Sequence, residues 1–175
     1  MDRTEESKSC WFVARTRYFR QEIKLRDWLT DRGVDCFVPT ETVRVQRGTK
    51  GRKTTEVPLV PNLLFVHTTK DAACSFVAES GLPMQYIIDC ATHKMLVVTD
   101  KAMDDFQRVY ACSIDEGGLM GQPLKVGELV RVTEGPLKGV EGYVLELRGK
   151  VFVMVGLLGM IWARAQVPRA WLEKV

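Results

Sequence analysis

Cys90 and His93, three positions apart, are the nearest this sequence comes to a nucleophile beside its base. His67 is the only other histidine. A catalytic reading needs more than that pair. The chain carries no Gly-x-Ser-x-Gly elbow, no cluster of metal-ligand types and no marker of an oxyanion hole. A loop cysteine beside an exposed histidine is the simpler account, so no enzyme, no catalytic residue, no metal and no cofactor are expected. The run Gly48-Thr-Lys-Gly-Arg-Lys53 lacks the spacing of a phosphate-binding P-loop and reads as a basic hairpin tip. The chemistry on offer is cationic. Between Arg15 and Lys53 stand eleven Lys/Arg against five Asp/Glu, on a chain whose net charge is only +3. Such a local excess points to contact with a polyanion. Arg15, Arg17, Arg20 and Lys24 are the basic set at its start. Arg17, Arg20 and Lys24 fall at i, i+3 and i+7, on one face of a helix expected over 17–32. That face is either a phosphate-contacting surface or ordinary solvated helix.

The elements that must position these side chains read as follows. Cys10–Arg15 is aromatic and β-branched, and predicts a strand. The stripe Leu25, Trp28 and Leu29 marks the helix, with Gly33 where a C-cap belongs. A second strand runs from Gly33 through Val45. Thr54–Leu59 and Asn62–His67 are strands broken at Val60-Pro61, where proline forces an edge or a bend. A short helix follows Asp71, then brief strands at Tyr86–Ile88 and Met95–Val98. A helix after Thr99 carries the stripe Met103, Phe106, Val109 and Tyr110. Ser113–Gln122, with three glycines and two acids, reads as a linker. Thereafter Leu129–Val132, Tyr143–Leu147, Val151–Val155, Met160–Ala165 and Trp171–Lys174 are short strands at the even spacing of a small barrel.

Composition bounds the class. With 46% apolar, 27% charged and 9% aromatic residues, the 175-residue chain fits a folded globular protein rather than a disordered one. No apolar run reaches the ~20 residues of a membrane span. Met1–Ser9 is polar, without the apolar core of a signal peptide. Five scattered cysteines with no CxxC argue against a disulfide scaffold and a zinc knuckle. A cytoplasmic protein, monomeric and without a membrane partner, is expected.

Two strings carry a family resemblance. Gly127-Glu-Leu-Val-Arg-Val-Thr-Glu-Gly-Pro-Leu-Lys-Gly-Val-Glu-Gly-Tyr-Val144 resembles the KOW motif, with Gly135, Pro136, Lys138 and Gly139 as its turn. Gly139 sits where the backbone would need a positive φ. Trp11-Phe-Val-Ala-Arg-Thr16, Phe37-Val-Pro39 and above all Val57-Pro-Leu-Val-Pro-Asn-Leu-Leu-Phe-Val66 resemble the NusG N-terminal domain. The Pro61–Val66 string and the Gly156-Leu-Leu-Gly-Met160 ending are most similar to the specialised RfaH- and UpxY-type paralogues. Val60 and Leu63 stand where the family usually has aromatics.

The resemblance implies an α+β fold. An N-terminal antiparallel sheet flanked by helices would span residues 9–113, a linker 114–121, and a small SH3-like KOW β-barrel 122–175. Strand alternation through Tyr143–Val155, with Gly149, Gly156 and Gly159, favours a stable barrel. It also implies an elongation factor that docks on the clamp helices of the RNA polymerase largest subunit, reaches toward the opposing gate loop and suppresses pausing. Val60, Pro61, Leu63 and Phe65, with Tyr86 from the next strand, match the docking depression. Leu63 and Phe65 alternate onto one sheet face and Leu64 and Val66 onto the other, so one face is free to dock unless helices bury both. The basic set matches the surface that meets non-template DNA or nascent RNA, and the barrel the part that meets a ribosomal protein or Rho. An operon-specific processive antiterminator is expected. A housekeeping factor coupling polymerase to Rho or the ribosome, and a ribosome-associated rRNA-binding KOW protein, are the other readings. A charge of only +3 speaks against the last.

Overall fold

The computed structural model describes residues 8–46, 52–81, 83–113 and 127–175. The expected linker over 114–121 lies outside the described residues, as do residues 47–51 of the tip expected over 47–53. The chain divides into two compact units, residues 1–99 and 100–175. The architecture is α+β, as the sequence implies.

In the first unit, β1 (Cys10–Thr16) is the spine of an antiparallel sheet of order β2-β5-β1-β6, made with β2 (Asp35–Phe37), β5 (Leu63–Thr68) and β6 (Met84–Tyr86). β7 (Val97–Val98) pairs with the start of β1 on the same side as β6. Helix α1 (Gln21–Thr30) buries Leu25 and Leu29 against Ala14, Leu64, Val66 and Met84. Helix α2 (Lys70–Glu79) opens with the Thr69 hydroxyl accepting from the Ala72 N–H at 3.4 Å. Its Phe76 meets Trp28 edge-on, 6.0 Å between centroids.

The strand expected to run from Gly33 through Val45 is two strands. Pro39 has no amide to donate to a ladder, and the chain breaks there. β2 stays in the main sheet, while β3 (Thr40–Gln46) leaves it to pair with β4 (Arg52–Pro58) as a separate two-stranded ribbon. The ribbon is tied back to α1 at its base. Arg26 forms a bidentate pair with Glu56, whose Oε1 also accepts from the Thr40 hydroxyl at 2.6 Å.

The second unit holds α3 (Asp100–Ser113) and an antiparallel sheet of order β11-β10-β9-β8-β12. Its strands are β8 (Leu129–Val132), β9 (Glu141–Leu147), β10 (Lys150–Leu157), β11 (Ile161–Gln166) and β12 (Leu172–Lys174). All five lie where the sequence puts them. Helix α3, expected within a first domain over 9–113, packs on β10 and β11 of the second unit. Its polar side chains explain the placement. Asp105 accepts the Glu141 N–H at 3.5 Å, Ser113 bonds the Arg164 carbonyl, and one Arg108 nitrogen donates to both Pro136 O and Lys138 O at 2.9 Å.

The Arg26 guanidinium holds the Glu56 carboxyl below its usual 4.5. A carboxylate depressed in the folded state stabilises above the unfolded value and loses that contribution as pH falls through the folded one. Glu56→Gln is therefore expected to cost about 0.5–1 kcal/mol at pH 7, a half-exposed bidentate pair being screened by water. Urea melts of native and variant chains should differ at pH 7 and converge as pH drops below 4.5.

Candidate nucleic-acid interface

The basic set runs from the end of β1 into α1. Ser9–Arg26 contains one carboxylate, Glu22, and it is fully buried. Burying a carboxylate is tolerable only with hydrogen-bond donors around it. Glu22 Oε1 accepts the Asn62 N–H at 3.0 Å, and Oε2 lies 3.3 Å from the Thr16 hydroxyl. Its place in the first turn of α1 adds the favourable end of the helix dipole. The same corner is closed by Thr16 N–H to Asn62 O at 3.0 Å and Arg17 N–H to Pro83 O at 3.1 Å. Three separate segments thus meet at Glu22 and at the strand end beside it.

This network corrects the expected helix. Arg17 and Arg20 do not lie on a helical face, because α1 begins only at Gln21. Arg20 holds φ 67, a left-handed conformation that no helix can contain. The chain from Arg17 to Arg20 is instead a loop clasped by Tyr18 N–H to Gln21 Oε1 and Gln21 N–H to Tyr18 O, both 3.3 Å. Of the set, only Lys24 is helical. Arg15, Arg17, Arg20 and Lys24 are all exposed, but Arg15 alternates with Ala14 and so leaves β1 on the face opposite the one that α1 covers. Gln85, exposed, stands across the β1–β6 ladder from Arg15.

Two residues of this loop are absent from the expected set. Tyr18 is 56% exposed and Phe19 49%. The Arg17 guanidinium lies 5.6 Å from the Tyr18 ring centre, and that of Arg20 5.6 Å from the Phe19 ring. The string Arg17-Tyr-Phe-Arg20 already shows cations interleaved with aromatics. A helical reading of the segment hides it, by asking only which residues share a stripe.

The expected docking depression is placed otherwise. Pro61 is exposed and Val60 half-buried, at a turn completed by Asn62 with φ 64. Leu63 and Phe65 are closed from solvent, at 2% and 0% exposure, and so are Leu64 and Val66. Both faces of β5 are core, with Phe37 lying against Phe65. Tyr86 does not join Leu63 and Phe65. The register sets Tyr86 and Leu64 each opposite Ala14, and Leu63 opposite Arg15, so Tyr86 points to the α1 side with Leu64. There it meets Phe12 at 5.9 Å. Its burial pushes the phenol pKa up.

The turn string of the second unit has its expected shape. Gly139 takes φ 84 and donates its N–H to Val132 O at 2.7 Å. A side chain on Gly135 would strike the Trp171 ring. Pro136, Lys138 and Gly139 are exposed, Leu137 buried beneath them. Cys90 and His93 are both exposed, in a turn whose amides bond Asp89 Oδ1 at 2.7 and 3.0 Å. Among the described residues, no group of three His, Cys, Asp or Glu could hold a metal ion, and no helix is long and apolar enough to cross a membrane.

Fold and site define a class: an α+β protein whose antiparallel sheet leads into an exposed, arginine-rich loop. Comparison with known families names it. The NusG family model, described as transcription termination factor nusG, matches residues 9–107, more than half of the chain. The chain belongs to the NusG family of transcription factors, whose partner is RNA polymerase. No curated protein matches it.

Two substitutions test the burial just described. Phe65→Ala is expected to cost about 3–5 kcal/mol as a core truncation, whereas Pro61→Asp, at the exposed turn, should stay within about 0.5 kcal/mol of native; thermal melts by circular dichroism distinguish them. Glu22→Leu leaves the Asn62 N–H and the Thr16 hydroxyl without their carboxylate, and is expected to cost about 2–3 kcal/mol, with Glu22→Gln recovering part of that loss.

Proposed function

We propose that this chain is an operon-specific processive antiterminator, of the kind that serves long capsular or surface-polysaccharide operons. It acts in the cytoplasm by binding alone, without covalent chemistry. The observation that carries this reading is the exposure of Arg15, Arg17, Arg20 and Lys24 on a NusG-family domain. The first unit docks on the clamp helices of the polymerase largest subunit and spans toward the gate loop. With Leu63 and Phe65 in the core, the exposed Pro61 and the half-buried Val60 are the part of that segment offered to the clamp helices. The exposed cations then lie against the non-template strand. The second sheet is the KOW barrel, and it recruits a ribosomal protein. Its turn, Gly135-Pro-Leu-Lys-Gly139, keeps the expected conformation in support of that reading.

Charge reversal at all four cations, to Glu, is the direct test. Affinity for a reconstituted elongation complex should fall most at low salt. The slope of log affinity against log salt should flatten by about 3, since each phosphate no longer neutralised removes roughly 0.7–0.9 from it. Unchanged affinity and slope would make these cations ordinary solvated surface. Transcript profiling after deletion separates specialist from housekeeping roles. Loss of distal transcripts from one or a few long operons is the expected outcome, and a genome-wide change would favour the housekeeping factor.

A further inference from the structure

Beyond Pro39 the ribbon of β3 and β4 stands apart from the main sheet. Its seven pairs, Thr40↔Pro58 to Gln46↔Arg52, join its own two strands and no other. A two-stranded ribbon has no core of its own and is marginal in water, so its direction has to be set from outside. The root is fixed. Val38 belongs to the core cluster of Leu25 and Leu29, Pro39 and Pro58 are buried, and the Leu59 N–H donates to Pro39 O at 2.9 Å. A root alone leaves a hinge. Neither proline has an amide to carry a ladder across it, and a tilt of about 20° there would move the seventh pair, about 20 Å out, by about 7 Å.

Arg26 of α1 supplies a second point of hold. Its two terminal nitrogens donate to the two oxygens of Glu56, Nη2 to Oε2 at 3.0 Å. Nε and Nη2 also donate to Asp27 Oδ1, at 3.1 and 3.0 Å, which aims the guanidinium before it meets the ribbon. Glu56 Oε1 accepts in turn from the hydroxyl of Thr40 on the opposite strand. One carboxylate therefore joins the helix to both strands of the ribbon. A parallel pair of bonds between two planar groups fixes an angle as well as a distance. Both side chains are partly exposed, and water screens such pairs, so the contact adds little to stability. Direction is what it adds. The ribbon's acids, Glu41 and Glu56, stand toward its root, while Arg44, Arg52 and Lys53 belong to its outer pairs. An end of that kind meets its partner far from α1, and how well depends on where the ribbon aims.

We propose that Arg26 is a positioning residue: through Glu56 and Thr40 it sets the direction in which the first unit holds its ribbon toward the polymerase. This rests on the reading that the first unit spans from the clamp helices toward the gate loop, and deepens it by naming what keeps the span aimed. Arg26 acts on the partner through the ribbon and not by touching it.

The test uses the full chain with two spin labels carried on unnatural amino acids, because five native cysteines stand in the way of thiol labelling. One label replaces Thr54 on the ribbon and the other Glu79 at the end of α2, both exposed. The distance distribution should be narrow in the native chain. Arg26→Gln and Arg26→Lys should both broaden it, since lysine keeps the charge but not the fork. Both should weaken binding to core polymerase about two- to five-fold, the fraction of chains aimed correctly having dropped by that factor, with cooperative melting retained. Arg26→Glu with Glu56→Arg should narrow the distribution again and recover part of the affinity. The proposal is overturned if Arg26→Lys keeps native affinity, as a simple charge contact would. It is overturned too if the distribution stays narrow in both variants, or broadens with affinity unchanged. Loss of cooperative melting in Arg26→Lys would also overturn it, by making the pair part of what holds the fold. The underlying reading fails separately, when the native chain does not bind core polymerase, and the distances then decide the clasp on their own.

Discussion

A single buried carboxylate sets the geometry on which the candidate interface depends. Glu22 has no exposure to solvent, and its oxygens are met by an amide from the β4–β5 turn and a hydroxyl from the end of β1. An unpartnered buried carboxylate would cost several kcal/mol, so these donors are obligatory. That requirement constrains backbone on three sides. Asn62 must point its N–H inward, and it does so with φ 64. Thr16 must end its strand where its hydroxyl can reach the carboxylate. α1 must begin at Gln21, because Glu22 has to lie in its first turn for both contacts to form. The solvent side of this arrangement is the loop Arg17–Arg20, held by its own reciprocal bonds to Gln21.

This logic explains which parts of the protein can be read from its residues alone. Strand positions in the second unit follow from alternation and turn glycines, which are local properties, and all five strands fall where those signals place them. The turn at Gly135–Gly139 follows equally, since its positive φ and its close approach to Trp171 both demand glycine. The start of α1 does not follow. Arg, Gln and Lys all favour helix, and nothing local tells that Arg20 adopts a left-handed conformation. Glu22, two residues on, takes its amide donor from forty residues away, at Asn62.

The fate of β5 shows a second limit. Alternation tells which residues share a face, and it separates Leu63 and Phe65 from Leu64 and Val66 correctly. It does not tell whether a face is covered. A strand of four consecutive apolar residues is what a sheet buried on both sides requires, and all four are closed from solvent here. Tyr86 illustrates register in the same way. Its face depends on a pairing with β1, and a shift of one residue would have put it beside Phe65.

Helix α3 answers to two descriptions at once. The family likeness runs to residue 107, well inside the helix, while its packing groups the whole of it with the second sheet. Its apolar stripe fits a sheet, but a stripe carries no address. The address is polar: Asp105 takes an amide of β9, Ser113 a carbonyl of β11, and Arg108 the carbonyls of Pro136 and Lys138. These partners are backbone groups, so they leave no mark in the side-chain pattern of the sheet. One guanidinium nitrogen bonded to two carbonyls of the same turn also fixes the spacing between them. The turn is therefore shaped from two directions, by the glycines within it and by an arginine from the helix.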